Sequence, residues 1–214
     1  GIRYYSNVMT TFTPSVRKAI EKAKSLEIKV IAPGHGPVYR KNPQKIIDDY
    51  SRFSLYAQGA GKNEVTILWG SMYGMTKKAV DHVEGILQRE GIKYNLLEMP
   101  LESDSEMVAT VFKSAGIIVA APTYEYKLFP PVAAALDELG RKRISGKVAF
   151  RIGSYGWSGG AEKELKEIIE RNKMKWDFIE SVEFEGAPKE EDLAKVEAGV
   201  LKLIEKMKEK VVEI

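Results

Sequence analysis

The sequence has no cysteine and only two histidines. The first absence removes disulfides, thiolate zinc sites, iron–sulfur clusters and a catalytic thiol. It makes a reducing cytoplasm the expected home. No apolar run approaches the roughly 18 residues that a spanning helix needs, so no membrane association is expected. The first residues, Gly1 to Tyr5, lack the basic-then-apolar layout of a secretory signal. There is no initiator methionine, and the sequence is expected to start inside a longer gene product. Charge of one sign is also scarce: 33 Lys/Arg against 30 Asp/Glu leave +3. Residues 1–61 carry 10 basic and 4 acidic side chains, residues 62–214 carry 23 and 26. A small basic segment before a near-neutral body gives no broad cationic surface, so no nucleic-acid partner is expected.

What is present is an ordinary globular balance over 214 residues, 44% hydrophobic and 29% charged, enough for one domain or one domain plus a piece. The small, polar stretch 57–63 reads as a linker, which divides the chain into 1–61 and 62–214. Beyond it, β-branched and aromatic runs alternate with helical patterns. Strands are expected at 65–69, 94–98, 117–121, 148–153 and 179–184. Between them lie helices with Ala79, Val80, Val83, Ile86 and Leu87 on one face, then Met107, Val108, Val111 and Phe112, then 132–139 and 161–171. An amphipathic terminal helix carries Val200, Leu203, Ile204 and Met207 inward and its Lys/Glu residues outward. Five such units predict an α/β fold with a five-stranded parallel sheet covered by helices on both faces.

Open sheets of this kind bind ligands beyond the carboxyl ends of their strands, at the switch point of strand order. Three loops stand there. The first is Ser71, Met72, Tyr73, Gly74, Met75 and Thr76. Its hydroxyls, mobile glycine and helix-start N–H groups suit a terminal phosphate. It lacks the lysine of a P-loop and the spacing of a dinucleotide fingerprint, and alone it reads equally well as an N-capped helix after a tight turn. The second is Pro122, Thr123, Tyr124, Glu125 and Tyr126, whose aromatics offer a flat apolar face. The third runs from Gly153 to Gly160 through Ser154, Tyr155, Gly156, Trp157 and Ser158. Four glycines in eight residues are costly in backbone entropy unless a ligand must come close. Phosphate at one end and aromatics around a plane describe flavin mononucleotide (FMN).

These loops resemble the flavodoxin-like domain of the flavodiiron proteins, also called A-type flavoproteins. Tyr73-Gly74 in the first loop and Ser154 to Ser158 in the third are that family's own versions. Residues 1–61 resemble the end of the family's metallo-β-lactamase-like αβ domain, through Tyr4 to Met9 and through Pro33 to Pro37. The resemblance implies FMN in the flavodoxin-like part, a non-haem diiron centre in the first domain, and reduction of oxygen or nitric oxide. It implies a rubredoxin-like donor or a reduced deazaflavin, and a head-to-tail homodimer. On it, Ser71 and Thr76 hold the phosphate and Tyr124 and Trp157 border the ring. Backbone groups of Glu125 and of Ser154, Tyr155 and Gly156 meet the ring's polar edge, and no side chain acts as acid, base or nucleophile. His35 matches the family's last iron-ligand histidine. Taken alone it reads as a loop corner, and it becomes a ligand only with the rest of the first domain. His82 is expected on the solvated side of its helix. Two departures stand out: Glu125 where asparagine is usual, and Met75 where a small or polar residue is typical.

Two rivals remain. A self-contained flavodoxin or quinone reductase would need no iron. A flavin-free flavodoxin-like interaction or receiver domain needs an acidic cluster and a phosphorylatable Asp where Ser71 and Pro122-Thr123 stand, and ranks last.

Overall fold

The computed structural model describes residues 1–212. The chain begins with helix α1 (Ile2–Tyr4), which runs through a π turn (Tyr5–Met9) and a 3-10 turn (Thr10–Phe12) into α2 (Thr13–Ala23). Pro14 in the first turn of α2 supplies a preset φ where an N–H is not needed. After an extended stretch comes α3 (Gln44–Tyr56). This first part is mainly helical: the bridge between Ile31 and Tyr39 is the one β pairing among the described residues of 1–60. An extended segment without a neighbouring strand cannot satisfy a ladder and stays irregular.

The expected linker is not a loose tether. Gly59 and Gly61 are buried, and β1 (Lys62–Trp69) already starts inside the stretch. A Cβ on Gly61 would stand 2.5 Å from the Ala115 nitrogen, so only glycine fits there. From β1 the chain alternates as expected through α4 (Met75–Arg89), β2 (Lys93–Glu98), α5 (Asp104–Lys113) and β3 (Ser114–Ala120). A short antiparallel hairpin then intervenes, β4 (Thr123–Tyr124) and β5 (Lys127–Leu128). It is followed by α6 (Pro130–Arg141), β6 (Val148–Tyr155), α7 (Ala161–Arg171), β7 (Asp177–Glu185) and α8 (Glu190–Met207).

The sheet order is β2-β1-β3-β6-β7, all parallel. The order reverses between β1 and β3, which places the switch point at their carboxyl ends. Helix α4 forms because Ala79, Val80, Val83, Ile86 and Leu87 share one buried face, and Gly91 (φ 66) ends it in the left-handed region. Strand β3 is buried along its whole length, as a central parallel strand must be. Two cores result, one on each face of the sheet. The face under α5, α6 and α7 also takes in the first helices. Tyr5 stacks on Phe112 at 5.8 Å between ring centroids and meets Phe53 edge-on at 5.5 Å. Its hydroxyl pairs with Thr13 Oγ1 at 3.1 Å. Each such aromatic pair contributes about 1 kcal/mol beyond its buried area. No helix among the described residues is long and apolar enough to cross a membrane.

Two basic side chains stand in this interior, Lys147 just before β6 and Arg151 within it, neither exposed at all. The Lys147 ammonium donates to the Ala60 and Phe112 carbonyls, both at 2.8 Å. His82 is half-buried between α4 and α8, its Nε2 4.0 Å from Glu197 Oε2, rather than solvated. The packing of two amphipathic helices on one sheet face removes the solvent that an isolated helix would have.

Candidate functional site

The loop after β1 reaches Gly74, which at φ 80 is the left-handed residue that starts α4. Ser71 Oγ accepts from the Gly74 N–H at 2.9 Å and fixes the turn. No side chain caps α4 and no acidic residue lies in its first turn, so its leading N–H groups stand open at the positive end of a 15-residue helix. Such an end attracts phosphate.

After β3, Ala121 and Pro122 lead into the β4–β5 hairpin. Its two connecting residues, Glu125 and Tyr126, have φ 46 and 64. Two-residue hairpin turns of the I′ kind need positive φ at both positions, which non-glycine residues adopt at a cost of about 1–2 kcal/mol each. The hairpin is held against α7: Glu164 Oε2 accepts from the Leu128 N–H at 2.6 Å. Gly160 (φ 139) passes so close to the Tyr126 carbonyl that a side chain there would overlap it. After β6, Tyr155 is tied through its carbonyl to the Gly186 N–H at 2.8 Å, and the loop turns outward at Gly156.

Together the loops enclose a cavity of about 470 Å³, a size suited to a nucleotide-like ligand. Thirteen of the fifteen expected cofactor residues line it: Ser71, Met72, Tyr73, Met75, Pro122, Thr123, Tyr124, Glu125, Ser154, Tyr155, Gly156, Trp157 and Ser158. Gly74 shapes the turn without lining the cavity. Thr76, whose hydroxyl is expected to hold phosphate, also lies outside the lining. It is fully buried and pairs with Ser154 Oγ at 3.0 Å, joining α4 to β6. Tyr126 and Gly186 complete the lining.

The cavity's chemistry is unfinished without a ligand. Thr123 Oγ1 is buried and has no hydrogen-bond partner, an arrangement that costs about 1–3 kcal/mol. Trp157 is 100% exposed and Tyr73 82%, large apolar faces held in water. A flat ring between such faces, a phosphate on α4 and an acceptor for Thr123 would satisfy all three.

His35 lies elsewhere, exposed in the extended stretch with its ring 5.7 Å from that of Tyr4. It borders an apolar hollow of about 510 Å³ with Ile20, Ile31, Tyr39 and Tyr50. Among the described residues no group of three His, Asp or Glu side chains could hold a metal ion. The residues present therefore do not fit a diiron centre.

No protein-family model matches the chain. It is 30% identical over 193 residues to a nitric oxide reductase of Moorella thermoacetica, covering 89% of this chain and 48% of that protein. The rubredoxin:oxygen oxidoreductase of Desulfovibrio gigas superposes with a TM-score of 0.86 at 25% identity, over 98% of this chain and 52% of that one. The flavodiiron protein from Giardia intestinalis gives 0.82 at 26% identity, over 98% and 51%. The chain belongs to the flavodiiron proteins. It spans about half the length of these members of the family. Its flavodoxin-like five-stranded sheet carries the cavity.

Proposed function

We propose that this chain is the FMN-carrying, electron-transfer part of a flavodiiron oxidoreductase that reduces oxygen or nitric oxide. The observation that carries the reading is the cavity at the β1/β3 switch point. There an uncapped helix start, an orphaned Thr123 hydroxyl and exposed aromatics converge on one ligand. The loop from Ser71 to Met75, with the N–H groups of α4, takes the phosphate. Tyr124 and Trp157 border the ring, and the backbone of Glu125 and of Ser154 to Gly156 meets its polar edge. FMN, when bound, supplies one- and two-electron redox chemistry, and the side chains set its position and potential. None of them transfers a proton as acid or base. The left-handed turn at Glu125 and Tyr126 presets one wall, so less ordering is lost on binding.

Residues 1–61 are the end of a metallo-β-lactamase-like domain, and the boundary lies at 61/62. The remainder of that domain brings the other iron ligands to His35. A rubredoxin-like carrier delivers electrons, a second copy lies head to tail, and the assembly works in the cytoplasm.

The test is a visible absorbance spectrum of the purified chain with iron analysis on the same sample. Flavin bands, native or after addition of FMN, support the reading. A colourless protein that takes up no FMN overturns it. Flavin without iron assigns the chain to electron transfer alone, and about two irons per FMN assigns the rest of the first domain to a second chain in the sample, with His35 a ligand.

A further inference from the structure

Arg151 is among the largest fully buried side chains in the structure. It sits on β6, two residues before Gly153 and three before Ser154, in a strand otherwise apolar on both faces. Its Nη2 forms a 2.7 Å ion pair with Glu183 Oε1 on β7. Its Nε and Nη1 have no hydrogen-bond partner. Burial pushes the guanidinium below its ordinary value, opposed by Glu183 and more weakly by Glu162 at the start of α7. An arginine remains charged in any protein setting, so this is a fixed cation.

Its position is what makes it more than a structural ion pair. A Cβ built on Gly153 would stand 2.5 Å from Arg151 Nη2 and 2.6 Å from the Ala121 carbonyl. The guanidinium therefore lies against Gly153, on the side where the Ala121 carbonyl also approaches. Each is one residue before a cavity wall, Pro122 in one case and Ser154 in the other. Glu183, its counter-charge, is paired in register with Gly153 and reaches under Gly159 of the third loop, 3.2 Å from where a Cβ would be. Glycine at 153 is what lets the cation approach the loops so closely. A hydrophobic residue at 151 would fill the same space without a desolvation cost.

We infer that Arg151 is a positioning residue for the flavin, spacing the second and third loops and setting a positive potential behind the cavity wall, with Glu183 as its balancing charge. The inference rests on the flavin reading of the cavity. A fixed cation favours the reduced flavin, which carries more negative charge than the oxidised form. Inside a medium of effective dielectric ~20, a unit charge about 10 Å away moves such an equilibrium by roughly tenfold. Removing Glu183 leaves the cation uncompensated, and removing Arg151 leaves the anion, so the two changes act in opposite directions.

The experiment is the midpoint potential of bound FMN in the wild type, Arg151→Met, Arg151→Lys and Glu183→Gln, each titrated with redox dyes. FMN affinity is followed by fluorescence and fold by circular dichroism. Glu183→Gln should tighten the hold on reduced relative to oxidised FMN roughly tenfold, a rise of about 30 mV for a two-electron couple. Arg151→Met should lower the midpoint by a similar amount and weaken FMN binding, while Arg151→Lys, which keeps the charge, should stay near the wild type. Should Arg151→Met not fold, the partly exposed Glu183 still decides the matter through its own variant. Uptake of FMN with midpoints unmoved in folded variants overturns this inference alone. Failure of the wild type to take up FMN overturns the functional reading and this one with it.

Discussion

Replacing Lys147 by methionine should change how stability depends on pH. The ammonium is wholly buried and donates to two carbonyls, Ala60 and Phe112, each at 2.8 Å. Burial is the main influence and lowers its pKa from 10.5 to about 7, with Glu64 opposing and Lys210 adding to the fall. Between these values the unfolded chain binds a proton that the native state does not. Stability therefore rises with pH through this window and is flat below it. The full difference between 10.5 and about 7 corresponds to roughly 5 kcal/mol, of which about 3 kcal/mol falls between pH 7 and 9.5. Burial also raises Tyr5, Tyr50 and Tyr56 above their ordinary values, so their titration lies above that range. Urea unfolding of wild type and Lys147→Met at half-unit steps from pH 7 to 9.5 isolates the contribution of one group. At pH 7 the variant sheds the burial cost but orphans two carbonyls, and these effects oppose each other. By pH 9.5 the wild type should have gained about 3 kcal/mol on the variant. Parallel stability curves would refute the reasoning.

Three further outcomes concern the cavity. Trp157→Ala should weaken FMN binding by about 1–3 kcal/mol, five- to 150-fold, with little change in unfolding, since the side chain is fully exposed; fluorescence titration checks it. Glu125→Gln removes an acid from the cavity wall and should raise the FMN midpoint, which a dye-equilibrated titration reads. Gly160→Ala puts a side chain into the Tyr126 carbonyl at φ 139, so the hairpin must shift. Loss of FMN uptake, with a thermal midpoint lowered by several degrees, is the expected result.

The strand and helix pattern was legible because the central strands β1, β3 and β6 are buried on both faces, the edge strands are part-exposed, and each sheet-covering helix is buried on one face, which leaves a period in the sequence. The third loop was legible for a different reason, the density of glycine beside aromatics. The hairpin at 123–128 was not. Its turn residues are Glu125 and Tyr126, neither of which signals positive φ, and tertiary packing on α7 imposes the conformation. The pairing of Thr76 with Ser154, 78 residues away, left no mark in the sequence around either residue. Lys147 stands just before the expected strand 148–153 and Arg151 inside it, and nothing in the run itself shows that either charge is buried. What holds them are carbonyls and a carboxylate from distant elements, which periodicity does not register. The first 61 residues gave a weak pattern because their extended stretch has no neighbouring strand.

The backbone bridge between Gly61 and Val211 has a consequence for how the cavity can be served. The Gly61 N–H donates to the Lys210 carbonyl and the Val212 N–H to that of Gly61, so the five-stranded unit is entered and left at a single doorway. That doorway lies at the amino end of β1, and the cavity at its carboxyl end, eight residues or about 26 Å of strand away. Anything grafted onto the chain after residue 212 would start on the far side of the molecule from the ligand. A fused donor would need a leash long enough to round the sheet, whereas a freely diffusing carrier or a neighbouring copy can approach the open rim directly.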